Sequence, residues 1–115
     1  MPLLKLHTSA KVPDGEKDAL VKALSEIVAS ILGKPKSYMM VSIADGHFCM
    51  GGEVAPAAFA DIRSIGGLNG EVNQSISDQV CTLLNDQLGI STDRIYLNFT
   101  NIPASDWGWN NGTFG

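Results

Sequence analysis

Apolar residues follow two different periods along this chain. The runs "PLLKLH" (2–7) and "AFADIRSI" (58–65) are short and apolar-rich, and both are of strand length. The stretch "DGEKDALVKALSEIVASILG" (14–33) instead places apolar residues at 20, 24, 27, 28 and 31, the spacing of one helix face. Asp14 stands where an N-cap is expected, with Glu16 and Asp18 in the first turn, where acidic groups complement the helix dipole. Gly33, with Pro35 just beyond, marks the stop. "GEVNQSISDQVCTLLNDQLG" (70–89) repeats the pattern with apolar positions 72, 76, 80, 83, 84 and 88, and Gly89 ends it. "SYMMVSI" (37–43) and "RIYLNF" (94–99) read as closing strands.

The two halves superimpose at a shift of 56. Leu20 then falls on Ile76, Leu24 on Val80, Leu32–Gly33 on Leu88–Gly89, and Val41 and Ile43 on Leu97 and Phe99. Apolar character is kept while identity is rare, as expected of an internal repeat. The same shift sets Pro2 opposite Ala58. The expected fold is α/β: one domain over 1–115, a β-α-β unit used twice (about 2–43 and 58–99), and a tail from 100. Right-handed crossovers would put both helices on one face of a four-stranded mixed sheet. "YMMVSI" and "RIYLNF" are apolar at almost every position, as in strands covered on both faces. Two helices cover only one face, so the other is expected to pack against further copies, a closed ring being the arrangement without open edges.

Composition narrows the function. At 115 residues, 44% hydrophobic and 17% charged, the chain reads as globular. A net charge of -4 argues against nucleic acid and anionic membranes, both of which call for basic patches. No apolar run is long enough to span a bilayer, and no secretory leader pattern opens the chain, so a cytoplasmic location is expected. Cys49 and Cys81 form no CxxC, His7 and His47 are isolated, and no GxSxG occurs; no metal or cofactor is expected.

Several residues carry candidate chemistry. Pro2 suits a strand start, since it lacks an N–H and fixes φ. If Met1 is removed, it also becomes a free secondary amine. An α-amino group titrates at about 7.7–8.0, and an apolar setting or a nearby cation lowers that value, giving a general base at neutral pH. Lys34 follows the helix stop in "GKP", where a cation either meets terminal carbonyls or binds an anion. "SIGGLNGE" (64–71) lies between a strand and a helix, matches no phosphate-loop pattern, and offers tight turns and an exposed N–H near Ile65. Tyr96 and Asn98 share one face of their strand, so they bond either backbone across an interface or a ligand. The tail "DWGWNNGTFG" sets Trp107, Trp109 and Phe114 in a Gly-rich segment suited to lining a pocket or sealing a seam.

Pro2 behind the initiator Met, "VPDG" (12–15), "GKP" (33–35), "SIG" (64–66), "RIYLNF" and "GWNNGTF" (108–114) together resemble the macrophage migration inhibitory factor family of the tautomerase superfamily, over the full length. The resemblance implies a homotrimer with active sites between subunits. It implies that Pro2 is the base, that Lys34 and the Ile65 backbone contact substrate, and that Tyr96 and Asn98 arrive from a neighbouring subunit. Tyr38, Trp109 and Phe114 would line the pocket. The implied activity is keto–enol tautomerisation of an α-keto acid such as phenylpyruvate, with dopachrome-type substrates a further option. The alternative is a non-enzymatic, cytokine-like binding or signalling protein keeping a vestigial pocket. Where the best-known members carry a CxxC linked to thiol oxidoreductase activity, this chain has Ala57 and Ala60, which excludes that activity. Arg63 stands where His is common, and Trp107 where a Val lines the pocket rim.

Overall fold

The structure, a computed structural model, describes residues 1–115. Four strands, β1 (Pro2–Thr8), β2 (Met40–Asp45), β3 (Ala58–Ser64) and β4 (Ile95–Asn101), form a sheet in the order β2-β1-β3-β4. Helix α1 (Lys17–Leu32) connects β1 to its parallel neighbour β2, and α2 (Gly70–Leu88) connects β3 to its parallel neighbour β4. The two halves meet where β1 runs antiparallel to β3. This is the mixed sheet expected of the repeat.

Period-2 alternation fixes which face is covered. Pro2, Leu4, Leu6 and Thr8 of β1 are buried, as are Ala58, Ala60, Ile62 and Ser64 of β3. Against them pack Leu20, Leu24 and Val28 of α1 and Ile76, Val80 and Leu84 of α2, the positions picked out by helical spacing. Gly33 and Gly89 close the helices at φ +64° and +68°, left-handed values that L-residues with a side chain rarely adopt. No helix is long and apolar enough to cross a membrane.

The structure corrects the sequence expectation in three places. Asp14 does not cap α1; it begins a 3-10 turn (Asp14–Glu16) and pairs with Lys17 at 3.0 Å. The cap that does form is at α2, where Asn69 Oδ1 accepts from the Val72 N–H at 3.0 Å. Ser37 and Tyr38 belong to a one-turn 3-10 segment launched by Pro35, so β2 starts only at Met40. Pro2 pairs with Ser64, and Ala58 with Thr8, because the repeated strands run antiparallel and a repeat shift gives equivalence rather than contact.

The closing strands divide their residues between the two faces. β2 and β4 are the two edges of the sheet, and their outward residues alternate in character: Met40, Ser42, Ala44 and Tyr96, Asn98, Thr100. The open face is therefore part apolar, with Met40 and Tyr96 each 65% exposed, and part polar, with Lys5 opposite Asp61 and Arg63 bonded to Asp61 at 3.1 Å.

Candidate active site

The head of β1 organises this end of the molecule. Pro2 is fully buried, its missing N–H costs nothing at a strand start, and its antiparallel partner Ser64 is buried as well. The Ser64 hydroxyl accepts a hydrogen bond from Lys34 Nζ at 3.0 Å. Lys34 Nζ also donates to the carbonyls of Ile65 at 2.6 Å and Gly66 at 3.4 Å. The chain turn after α1 and the loop after β3 thus meet beside Pro2, with the ammonium as the link. Gly67 takes φ +86°, a left-handed value that favours glycine, and a Cβ there would meet Leu32 Cδ2 at 3.3 Å. Burial lowers the Lys34 pKa below the usual lysine range, since desolvation disfavours the charged form.

Two cavities flank this N-terminus. One, of about 420 Å³, is mainly apolar and is lined by Pro2, Leu3, Tyr38, Met40, Trp107, Trp109 and Phe114 among others. The second, of about 370 Å³, is lined by Lys34, Pro35, Ile65 and Ala104. Met1, Tyr38 and Phe114 line both, so Met1 stands on the boundary between Pro2's cavity and Lys34's. The Met1 α-amino group is held below its usual pKa, first by burial and then by the charge of Lys34.

The aromatic wall is a set of three rings. Trp109 stacks on Phe114 with centroids 5.4 Å apart, and Tyr38 meets both edge-on, at 5.5 and 6.1 Å. These are favoured geometries for aromatic pairs. The tail holds its two rings in place by folding into a small hairpin, β5 (Gly108–Trp109) against β6 (Gly112–Thr113). Asn110 and Asn111 both take positive φ, 49° and 68°, as a two-residue hairpin turn with the right twist requires. "WNNG" carries that turn signal in the sequence. The Phe114 N–H bonds the Trp107 carbonyl at 3.1 Å, returning the tail to the cavity wall.

Pro2, Tyr38, Trp109 and Phe114 are therefore gathered round one cavity, with Lys34 and Ile65 round the next. Tyr96 and Asn98 are not there. They lie on the open face of edge strand β4, and Tyr96 falls in the row His7–Phe59–Tyr96, at the far end of β1 from Pro2. Ser64 and the Gly66 carbonyl are the contributors that sequence reading did not single out. "SIG" was visible, but the cross-strand register that aims Ser64 at Lys34 was not.

A duplicated β-α-β sheet thus carries a proline at the head of its first strand, beside an apolar cavity. A family model described as Macrophage migration inhibitory factor (MIF) matches residues 1–115. The chain belongs to the macrophage migration inhibitory factor family. It is 40% identical over 115 residues to a homolog of that factor from Trichinella spiralis, covering 99% of this chain and 100% of the relative. It is 36% identical over 118 residues to the factor from Meriones unguiculatus, covering 99% of each. Among solved structures, the homologue from Prochlorococcus marinus superimposes with a TM-score of 0.93 at 36% identity, covering 98% of this chain and 99% of that one. The like protein from Entamoeba histolytica gives 0.94 at 34% identity, covering 98% of each chain.

Proposed function

We propose that this chain, once Met1 is removed, is a keto–enol tautomerase of α-keto acids such as phenylpyruvate, with the Pro2 secondary amine as general base. The observation that carries the reading is the environment of the N-terminus: an α-amino group here is pushed down in pKa by burial and by Lys34. We propose that the same surroundings, an apolar cavity wall and the nearby Lys34 bonded to Pro2's strand partner Ser64, hold the Pro2 amine low once it is the terminus. Loss of Met1 also removes one of the three residues shared by the walls of the two cavities, Tyr38 and Phe114 being the others.

In this mechanism the neutral Pro2 nitrogen takes a proton from the carbon beside the carbonyl, the electron pair moves onto the carbonyl oxygen, and the protonated Pro2 then gives that proton to the oxygen to complete the enol. In the reverse direction Pro2 takes the enol proton, the electron pair returns to form the carbonyl, and the protonated Pro2 gives the proton to the carbon. Lys34 holds the substrate carboxylate. Its three donors are already engaged, so the carboxylate displaces the longest contact, to Gly66 O at 3.4 Å, while Ser64 and Ile65 keep the ammonium aimed. The rings of Tyr38, Trp109 and Phe114 exclude water and pack on an aryl group. Lys34→Ala is expected to lower kcat/KM for phenylpyruvate by roughly 10- to 100-fold, the worth of one charge-assisted hydrogen bond. Loss of enol absorbance measures this, and an unchanged value removes Lys34 from the site.

We further propose that the active form is a homotrimer in which Tyr96 and Asn98 of a neighbouring copy complete the site. Within one chain Tyr96 lies in the row of His7 and Asn98 in the row of Lys5, both on edge strand β4 and neither lining a cavity beside Pro2, so the shared site joins two copies. The exposed Met40 and Tyr96 on the edge strands are suited to being covered. Sedimentation should give a particle three times the 12.2 kDa chain; a monomer would contradict the shared site.

A further inference from the structure

We infer that Asn101 is a positioning residue for Lys34, acting through the loop that joins β3 to α2. Asn101 lines neither cavity beside Pro2, and its side-chain hydrogen bonds go to Leu68 and not to Lys34. What it holds is Leu68. Its Oδ1 accepts from the Leu68 N–H at 3.2 Å, and its Nδ2 donates to the Leu68 carbonyl at 3.1 Å. One carboxamide thereby satisfies both backbone groups of a loop residue, as a neighbouring strand would. The adjacent Ile102 N–H donates to the Ser64 carbonyl at 2.8 Å. The end of β4 therefore clamps the loop at both ends, at Ser64 and at Leu68.

Between the clamps lie Ile65, Gly66 and Gly67. The first two supply carbonyls to Lys34 Nζ, and the third lies against the lysine stem. Gly66 and Gly67 sit at φ +70° and +86° and have no side chain to anchor them. Two consecutive glycines leave the backbone with the widest conformational freedom, so the direction of those carbonyls depends on the clamps. The Ile102 clamp is backbone and survives substitution; the Asn101 clamp is a side chain and does not. The dependence runs from Asn101 to the Leu68 backbone, to the Ile65 and Gly66 carbonyls, and so to the Lys34 ammonium.

The kinetic consequence rests on the tautomerase reading, but the positional one does not, so the test carries a readout of each kind. Nitrogen-15 labelling of lysine lets NMR follow the Lys34 ammonium, assigned by its loss in Lys34→Ala. In Asn101→Ala its hydrogen exchange with water should speed up by about tenfold, the worth of one ordinary hydrogen bond. Asn101→Asp, which keeps the acceptor for the Leu68 N–H but loses the donor, should fall between. With phenylpyruvate, Asn101→Ala should raise KM by about the same factor and leave kcat within roughly twofold. It should add nothing further in a Lys34→Ala background. Unchanged ammonium exchange in Asn101→Ala overturns the inference, as do KM effects of Asn101→Ala and Lys34→Ala that simply multiply. If the wild-type chain does not turn over phenylpyruvate, the tautomerase reading fails and the ammonium exchange alone decides the role of Asn101.

Discussion

Chain that has lost Met1 will ketonise the enol of phenylpyruvate, and chain that retains Met1 will do so at least about 100-fold more slowly, the lower end of what a general base contributes. Two effects act together. Acylated by Met1, the Pro2 nitrogen is an amide, its lone pair is delocalised, and it takes no proton near neutral pH. Met1 also stands at the boundary of the two cavities, between the base and Lys34. Intact mass identifies each form, and loss of enol absorbance measures each rate. Pro2→Gly, in chain processed to expose the new terminus, should fall between the two. It keeps a basic amine but gives up the ring that fixes φ and fills the buried start of β1. Equal rates for all three would move the base elsewhere.

The second large effect is on stability. Leu24 is fully buried in the core cluster under the sheet. Leu24→Ala should cost about 3 kcal/mol, combining lost transfer energy with the cavity left behind, since a core between two helices and a sheet collapses only partly. That is a large share of the roughly 5–15 kcal/mol holding a domain of this kind together. Urea unfolding at matched protein concentration is the measurement, because association shifts the midpoint by mass action. A loss under about 1 kcal/mol would mean that the site repacks, against the close packing described here.

The repeat made the architecture legible. Helical spacing at Leu20, Leu24 and Val28, and again at Ile76, Val80 and Leu84, is a local property that tertiary structure had only to use. What stayed hidden was non-local or depended on competing local chemistry. The antiparallel join of β1 to β3 puts Ser64 beside Pro2, and no shift of the sequence on itself contains that pairing. Tyr38 and Met39 carry β propensity, but the turn launched by Pro35 takes Tyr38 out of the strand and into the aromatic cluster. The apolar look of "RIYLNF" hid a division of faces: edge strand β4 turns Tyr96 and Asn98 outward, to the face that a single chain leaves open. Pro2, Lys34 and Trp109 were visible as residues; that Lys34 reaches Ser64 and two loop carbonyls was not, because it depends on how residues 64–68 are pinned by 101 and 102.

The central claim is that Pro2 is a neutral amine at working pH. Titrating the nitrogen-15 signal of Pro2 in Met1-free chain tests it most directly. Burial and the Lys34 charge both disfavour protonation, so the pKa should lie below the ordinary α-amino range of about 7.7–8.0, and the low-pH limb of kcat/KM should fall at the same value. A Pro2 pKa at or above that range, or an activity limb that does not track it, would contradict the account.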